Sequence, residues 1–318
     1  MSKTLTITET AAWLSTRDNF LIITHRRPDG DTLGCAGALA QSLREQGKTA
    51  CVLFNPEATP RYVQFVEDYW APEGFKPEHS ITIDTATEDQ FPVNGDEYIG
   101  AVTLCIDHHP SNTLYAEYSY LDSSAASCGE IIYEIAIAMA GCISEKTAGS
   151  LYAALSTDTG CFAFANTTAN TLRVAALLIE AGAPHRELNK QLFRTRTIGR
   201  IKIEGMIFSS LEFYFDGAVA IASISRSMID AAGADEDDLD DIASIPGSVV
   251  NVKAGITIRE LTAENDCKVS VRTGASVNAD MVCAHFGGGG HPMAAGFSLN
   301  KTIAEIKEEL LTVLPDHT

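Results

Sequence analysis

The stretch LIITHRRPDGD (residues 21–31) decides the fold of the first half of the chain and the chemistry expected of it. With Phe20, its apolar start forms the run 20-FLIIT-24, which predicts a buried strand. The polar residues that follow predict a loop that leads into a helix. In such a loop His25, Asp29 and Asp31 can surround one point. Carboxylate and imidazole groups are donors that suit divalent metal ions, so this stretch predicts a metal site.

Three further segments end an apolar run with acids or histidines. They are ITIDT (81–85), LCIDHHP (104–110) and LYAALSTDTG (151–160), and they add Asp84, then Asp107, His108 and His109, and then Asp158. This inventory is sufficient for two cations. Two metal ions about 3.5–4 Å apart clamp the attacking and leaving oxygens of a phosphoryl centre, so the set predicts hydrolysis of a phosphate ester.

Strand-like and helix-like stretches alternate through residues 1–190. Strands are predicted at 20–24, 50–54, 81–83 and 101–106, and helices at 33–47, 128–141, 147–159 and 170–182. Short apolar strands favour an α/β domain whose parallel sheet has helices on both faces. Ligands bind such sheets beyond the carboxyl ends of the strands, where three of the four polar segments fall.

The rest of the chain changes character. Residues 191–210 are rich in Arg and Lys and predict a connecting helix, and 211–318 are strand-rich. The second domain is therefore expected to be a smaller α/β domain with a mixed sheet, and the active cleft is expected between the two domains. The acidic run at 235–241 is typical of a solvated face.

The four segments together resemble the motifs of the DHH phosphoesterase superfamily. The resemblance rests on H-x-x-x-D-x-D at 25–31, the strand-end Asp84, Asp-His-His at 107–109 and S-T-D-T-G at 156–160. The tail 286-FGGGGHPMAAG-296, with 269-VSVRTG-274 before it, resembles the glycine-rich signature of the DHH-associated C-terminal domain. The compact two-domain form is most similar to the branch that degrades nanoRNA and dephosphorylates pAp (3′-phosphoadenosine 5′-phosphate).

The resemblance implies a role for each metal-site residue. The first metal would be held by His25, Asp29 and Asp84, and the second by Asp31, the bridging Asp84, His108 and Asp158. The implied cofactor is a pair of divalent ions. The mixture of hard and borderline donors favours manganese. The candidate catalytic residues are Asp84, His109, which would assist the leaving oxygen, and Asp107, as a supporting group that orients ligands.

The resemblance also implies a substrate clamp in the second domain. Arg272 would grip a phosphate, the backbone at Gly288, Gly289 and Gly290 would approach an anion closely, and His291 would bond to phosphate or base. Arg26 and Arg27 lie within the first motif, between His25 and Asp29. They either make the electrostatic potential at the site more positive or only keep the loop soluble.

Composition restricts the partners. The formal net charge of −19 argues against binding of duplex nucleic acid and favours short single-stranded RNA oligomers or small nucleotides. No apolar run approaches the ~20 residues of a membrane span, so no membrane partner is expected. The eight cysteines include no C-x-x-C pair and are interpreted as reduced core residues of a cytoplasmic protein, with a homodimer left open.

Several other functions compete with this interpretation. The nearest alternative is a phosphodiesterase of the same superfamily that acts on cyclic or linear dinucleotides such as c-di-AMP, pApA or pGpG. A RecJ-like single-strand exonuclease is disfavoured because the chain has no room for an added nucleic-acid-binding barrel. An inorganic pyrophosphatase has a different C-terminal signature, and a catalytically dead binding protein would have lost ligands.

Overall fold

A computed structural model describes residues 2–239, 241–261, 266–274 and 276–314. The chain divides into two compact units, one ending at Thr195 and the other starting at Arg196. Each unit has its own six-stranded sheet and its own apolar core.

The first unit is built on a parallel sheet. Its strands are β1 (Lys3–Thr4), β2 (Phe20–Ile23), β3 (Ala50–Val52), β4 (His79–Ile83), β5 (Leu104–Asp107) and β6 (Tyr118–Leu121). Its helices are α1 (Ile7–Ser15), α2 (Gly30–Glu45), α3 (Cys128–Ala140), α4 (Glu145–Asp158), α5 (Ala169–Glu180) and α6 (His185–Asn189). The strand order is β1-β6-β5-β4-β2-β3, and all five pairings are parallel.

Both faces of this sheet are covered, but differently. Phe20 and Ile22 point towards the α-helices and share a core with residues of α1 to α5. Leu21 and Ile23 point to the opposite face, where loop side chains and short 3-10 turns such as Asp96–Tyr98 cover them. The predicted α/β class with a parallel sheet is confirmed; of the helices expected on both faces, the α-helices cover one and short 3-10 helices with loops cover the other.

Close packing of α2 against α4 brings two of the ligand segments together. A Cβ atom at Gly30 would lie 2.4 Å from the hydroxyl of Thr157, and one at Gly34 would lie 2.6 Å from the carbonyl oxygen of Ser150. Only glycine allows these backbones to approach so closely. Because of this contact, the start of α2 lies beside the end of α4, where Asp158 is the last residue.

The second unit has a mixed sheet. Its strands are β7 (Glu212–Tyr214), β8 (Val219–Ile224), β9 (Ala254–Glu260), β10 (Asp266–Thr273), β11 (Gly289–His291) and β12 (Ala294–Asn300). Its helices are α7 (Ile198–Ser209), α8 (Arg226–Ala232), α9 (Ala279–Ala284) and α10 (Ile303–Val313). The order is β11-β12-β10-β9-β8-β7, with β8 and β9 parallel and the other neighbours antiparallel. The predicted mixed sheet is confirmed.

Residues 191–210, expected to form one connecting helix, divide between the units. A π-helical turn at Lys190–Arg194 ends the first unit, and the backbone is extended at Thr195. A new helix then starts because the side chain of Thr197 accepts a hydrogen bond from the backbone N–H of Arg200. This helix, α7, packs into the core of the second unit.

In the part of the chain that the structure describes, none of the helices combines the length and the apolar character that a membrane span requires.

Candidate metal centre

The four predicted segments meet at the carboxyl edge of the first sheet. His25 follows β2, Asp84 follows β4, and Asp107 is the last residue of β5. The chain passes from β2 outwards to β3 and then returns to the other side of β2 with β4. Open parallel sheets place ligands at such a reversal of strand order, so the topology alone converges these side chains.

Asp84 lies at the centre of the cluster. Its Oδ2 atom is 3.7 Å from Nε2 of His25, and its Oδ1 atom is 3.4 Å from Nε2 of His108. The side chain is buried, and the backbone has a φ of +56°, in the left-handed region. Aspartate tolerates this conformation better than most residues, and such backbone strain is concentrated at functional sites.

A first group of donors surrounds His25. Its Nε2 atom is 3.8 Å from Oδ1 of Asp29, and suitable atoms of His25, Asp29 and Asp84 all lie within 4.8 Å of one another. Asp29 also caps α2, because its Oδ1 accepts hydrogen bonds from the N–H groups of Asp31 and Thr32. The ring Nδ1–H of His25 donates to the carbonyl oxygen of Arg26 at 2.8 Å, so Nε2 is the ring nitrogen that faces the carboxylates.

A second group surrounds His108. Its Nε2 atom is 4.0 Å from Oδ2 of Asp31 and 3.8 Å from Oδ2 of Asp158. Its Nδ1–H donates to the carbonyl oxygen of Ala125 at 3.1 Å, so Nε2 again faces the carboxylates. The two groups thus share Asp84. The structure brings together all six side chains predicted as metal ligands: His25, Asp29, Asp31, Asp84, His108 and Asp158.

The N-terminus of α3 holds the carboxylate of Asp31 in place. The carboxylate accepts hydrogen bonds from the hydroxyl of Ser127 at 2.9 Å and from the N–H groups of Cys128 and Gly129 at 2.8 and 3.1 Å. The positive end of the helix dipole adds to these bonds. This support was not foreseen from sequence, although a Ser before an apolar helix at 128–141 was the available signal.

Two buried thiols also contact the cluster, although neither cysteine was among the predicted ligands. Sγ of Cys35 is 3.2 Å from Oδ1 of Asp31, and Sγ of Cys128 is 3.7 Å from Oδ1 of Asp84. Burial, followed by the charges of the neighbouring carboxylates, raises the pKa of both thiols well above the usual range. They are therefore S–H donors to the carboxylates.

The cluster is short of positive charge. Burial tends to lower the pKa of His25 and of His108, but hydrogen bonds and charges from the carboxylates outweigh it and raise these values to about 11 and about 10. Burial, and then the charge of Asp84, raises the pKa of Asp158 to about 7. Carboxylates this close together favour cations between them, and divalent metal ions fit both the charge and the donor types.

Asp107 and His109 form a pair beside the metal ligands. Asp107 is fully buried, and its Oδ1 accepts hydrogen bonds from Nδ1–H of His109 at 2.8 Å and from the backbone N–H groups of His108 and His109. The amide of Asn112 donates to Oδ2 at 2.6 Å. The hydrogen bond that His109 donates to Asp107, opposed by burial, raises the pKa of His109. His109 is thereby oriented with Nε2 directed away from Asp107.

Two asparagines brace the site, and sequence reasoning missed both. The Asn55 amide donates to the carbonyl oxygen of His25 at 2.9 Å and to the hydroxyl of Thr24 at 3.0 Å. The Asn166 amide donates to the carbonyl oxygens of Ala126 and Asp158, at 3.0 and 3.1 Å. A lone asparagine between two predicted elements gives no sequence signal for such long-range bonds.

In the second unit, Arg272 and His291 lie in one row of the sheet. Ala294 of β12 pairs with Arg272 of β10 on one side and with His291 of β11 on the other. Directly paired residues project from the same face, and the small Ala294 leaves room between the two longer side chains. The placement is consistent with the predicted clamp, whose role remains a prediction.

The glycines before His291 serve close packing of the backbone. A Cβ atom at Gly288 would lie 2.3 Å from the carbonyl oxygen of Gly296, and Gly290 has a φ of +155°. The N–H of Gly288 donates to the carbonyl oxygen of Cys283, and that of Gly290 donates to Asp280. These two N–H groups are already engaged, so an anion at this loop would have to displace their present acceptors. Gly289 is part of β11 and pairs with Gly296.

Comparisons with known proteins agree with the motifs. The N-terminal domain of the DHH family matches residues 19–155, and the DHHA1 domain matches residues 216–316. A Thermus thermophilus protein named bifunctional oligoribonuclease and PAP phosphatase NrnA is 31% identical, over 91% of this chain and 89% of that protein. The Bacillus subtilis protein of the same name is 28% identical, over 92% of this chain and 93% of that protein.

Solved structures share the fold. An exopolyphosphatase-related protein from Bacteroides fragilis superimposes with a TM-score of 0.88 at 21% identity, over 98% of this chain and 95% of that one. RecJ from Thermus thermophilus in complex with Mn²⁺ superimposes with a TM-score of 0.56 at 13% identity, over 97% of this chain and 54% of that one. The chain therefore belongs to the DHH family of phosphoesterases, in the two-domain form in which a DHHA1 domain follows the DHH domain.

Proposed function

We propose that this chain is a phosphoesterase that uses two divalent metal ions, manganese by preference, to hydrolyse short oligoribonucleotides to mononucleotides and to dephosphorylate pAp. Relatives that carry both activities in their names align with about nine-tenths of the chain, which supports this proposal over the dinucleotide phosphodiesterase alternative.

The observation that carries the proposal is the position of Asp84. One oxygen of its carboxylate faces His25 and the other faces His108, so this side chain would help to hold both cations. Asp29 would complete the first site, and Asp31 and Asp158 the second. Oxygen and imidazole donors of this mixture suit manganese better than magnesium, which prefers oxygen alone.

Bound divalent ions supply Lewis acidity at the phosphoryl oxygens and make water nucleophilic at neutral pH. The chain contributes the remaining chemistry. Asp107 fixes the Nδ1–H of His109, so that the protonated ring can donate from Nε2 to the oxygen that leaves phosphorus. The raised pKa of His109 favours the protonated form that this role needs.

The second unit would supply the groups that capture the nucleotide. The guanidinium of Arg272 can bind two phosphate oxygens at once, and His291 lies in the same row of the sheet. Arg272 makes a hydrogen bond of 3.2 Å to the carbonyl oxygen of Val271, through Nη1. Within the described residues, the other N–H groups of the guanidinium make no hydrogen bond, which suits a residue that receives substrate.

The charge of the chain bears on substrate length. A net charge of −19 repels a long strand that crosses the exterior, whereas a substrate of two to five nucleotides meets mainly the site itself. We therefore expect turnover to decrease steeply with oligomer length at low ionic strength and to recover partly with salt, which screens such repulsion.

To test the proposal, purified protein is assayed with manganese and its products are identified. The substrates are pAp, di- to pentaribonucleotides, c-di-AMP, pApA, pyrophosphate and a single strand of about 25 nucleotides. Release of mononucleotides from the short RNAs and of phosphate from pAp is expected. Turnover of pyrophosphate or c-di-AMP alone, or equal rates on the dinucleotide and the long strand, would reject it.

A further inference from the structure

A cationic and aromatic surface lies next to the first metal-ligand group. We call Arg26, Arg27, Phe54 and Trp70 the arginine–aromatic patch. Both arginines are exposed, with 85% of the Arg27 side chain open to solvent, and 52% of Phe54 is exposed. The rings of Phe54 and Trp70 meet edge to face, with centroids 5.4 Å apart, and Trp70 is half-buried.

Hydrogen bonds fix this patch to the metal centre. The buried Asn55, which follows Phe54, donates to the carbonyl oxygen of His25 at 2.9 Å and so touches the peptide that joins His25 to Arg26. The side-chain amide of Asn94 donates to the carbonyl oxygen of Phe54 at 2.7 Å, and the backbone N–H of Arg26 donates to the carbonyl oxygen of Gln90 at 2.6 Å. The patch is therefore a rigid extension of the segment that presents His25.

The chemistry of the patch is unusual for a chain with 42 acidic and 23 basic residues. The two arginines follow His25 directly, and the exposed ring of Phe54 precedes Asn55, whose amide bonds to the His25 carbonyl oxygen. Arg27 faces the acid Glu57, with its Nε atom 3.9 Å from the carboxylate. Binding of single-stranded nucleic acid combines these features, because cations bind the backbone phosphates and aromatic rings stack on the bases. A small molecule with one phosphate at the metals would leave them unused.

We propose that the arginine–aromatic patch is a subsite for the second nucleotide of an oligoribonucleotide. Phe54 stacks on its base, with Trp70 as the support of the ring, and Arg26 and Arg27 bind the adjoining phosphate. The inference rests on the proposed function, which supplies the nucleotide substrate. It adds that this patch distinguishes oligomers from mononucleotide substrates such as pAp, which do not reach it.

The test compares Phe54→Ala, Phe54→Trp, Arg26→Gln and Arg27→Asn with the unmodified protein, on a dinucleotide and on pAp. Asparagine is chosen at Arg27 because the backbone there has a φ of +51°. Phe54→Ala is expected to lower kcat/KM for the dinucleotide by about 5- to 100-fold, the range of one base stack, and to change kcat/KM for pAp less than twofold. Phe54→Trp should restore the dinucleotide activity. Each arginine variant should lower kcat/KM for the dinucleotide and make it less dependent on salt, because salt screens the lost charge contact.

Matched controls are Phe213→Ala, which removes an equally exposed ring on β7, and Arg173→Gln, which removes an exposed arginine on α5. Neither control should change kcat/KM for the dinucleotide or for pAp. Equal losses on the dinucleotide and on pAp would overturn the inference, because they would mean that the patch only supports His25. Unchanged activity on both substrates would overturn it as well. An unmodified protein that hydrolysed neither substrate would remove the proposed function and, with it, this subsite.

Discussion

The Nδ1–H group of His109 donates to Oδ1 of Asp107 across 2.8 Å, and this carboxylate is inaccessible to solvent. The two residues are separated by one position in the sequence but have different environments. The side chain of His109 is more than one-third exposed, while that of Asp107 is enclosed. The buried partner fixes the direction of the exposed one.

Replacing Asp107 by Asn should slow turnover without weakening substrate capture. The amide can no longer accept from all four donors that surround the carboxylate, so His109 loses its orientation. We expect kcat to fall by roughly 10- to 100-fold, as for loss of a group that orients an active-site histidine, with KM nearly unchanged. Steady-state kinetics on a dinucleotide checks this. The control Asn112→Ser removes the donor to Oδ2 and leaves the bond to His109, so a loss as large as that of Asp107→Asn would contradict this account.

Asp84→Asn should abolish hydrolysis while leaving the fold intact. Asparagine is preferable to alanine because it tolerates the positive φ at this position. The amide keeps the shape but loses the charge shared by both donor groups, so catalysis should fall by several orders of magnitude. Calorimetric titration with manganese should show that fewer than two ions bind per chain. Asp89→Asn, at an exposed position of the same unit, is the control. Full metal stoichiometry in Asp84→Asn would refute the bridging role.

Arg272→Ala and His291→Ala should mainly raise KM, whereas His109→Ala should mainly lower kcat. The reason is their position, because the first two lie on the second sheet and His109 follows His108, a proposed metal ligand. Kinetics on a dinucleotide separates the two effects. His285→Ala removes an exposed histidine of the same unit and should leave both constants unchanged. Clamp variants that lowered kcat alone would contradict this division.

Gly34→Ala and Gly205→Ala should change stability in opposite directions. Both glycines are helical, but a Cβ at Gly34 would lie 2.6 Å from the carbonyl oxygen of Ser150, while a Cβ at Gly205 meets nothing within 4 Å. Alanine at 34 must force α2 away from α4, at a cost of about 1–3 kcal/mol. Alanine at 205 should stabilise α7 by about 0.5–1 kcal/mol. Thermal unfolding measures both, and a more stable Gly34→Ala protein would show that the helix contact yields easily.

The candidate metal centre was largely predictable because several of its proposed ligands follow strands that are recognisable in the sequence as apolar runs. His25, Asp84 and Asp107 were all expected at strand ends, and parallel topology then brings them together. The supports were not predictable, since the bond from Cys128 to Asp31 joins residues 97 positions apart and depends on where α3 starts.

In the second unit, the backbone at Gly288 to Gly290 was expected to approach an anion, and no strand was predicted there, yet residues 289–291 form a strand. Glycine is a poor strand former, and so the local pattern gave no strand signal. The close approach of β12, which no side chain at 288 would allow, overrides that local preference.

The fixing of the ligands by protein groups has a consequence for how the enzyme acquires its ions. Asp31 is held by α3, and the two histidines are each held by a carbonyl oxygen. Ions do not have to assemble these side chains, in contrast to sites that fold only around a metal. Treatment with a chelator should therefore yield an inactive protein with native circular dichroism, and added manganese should restore activity as fast as it diffuses in. In a cell, one protein molecule could then exchange its bound metal ion when the supply of free metal changes, without having to refold.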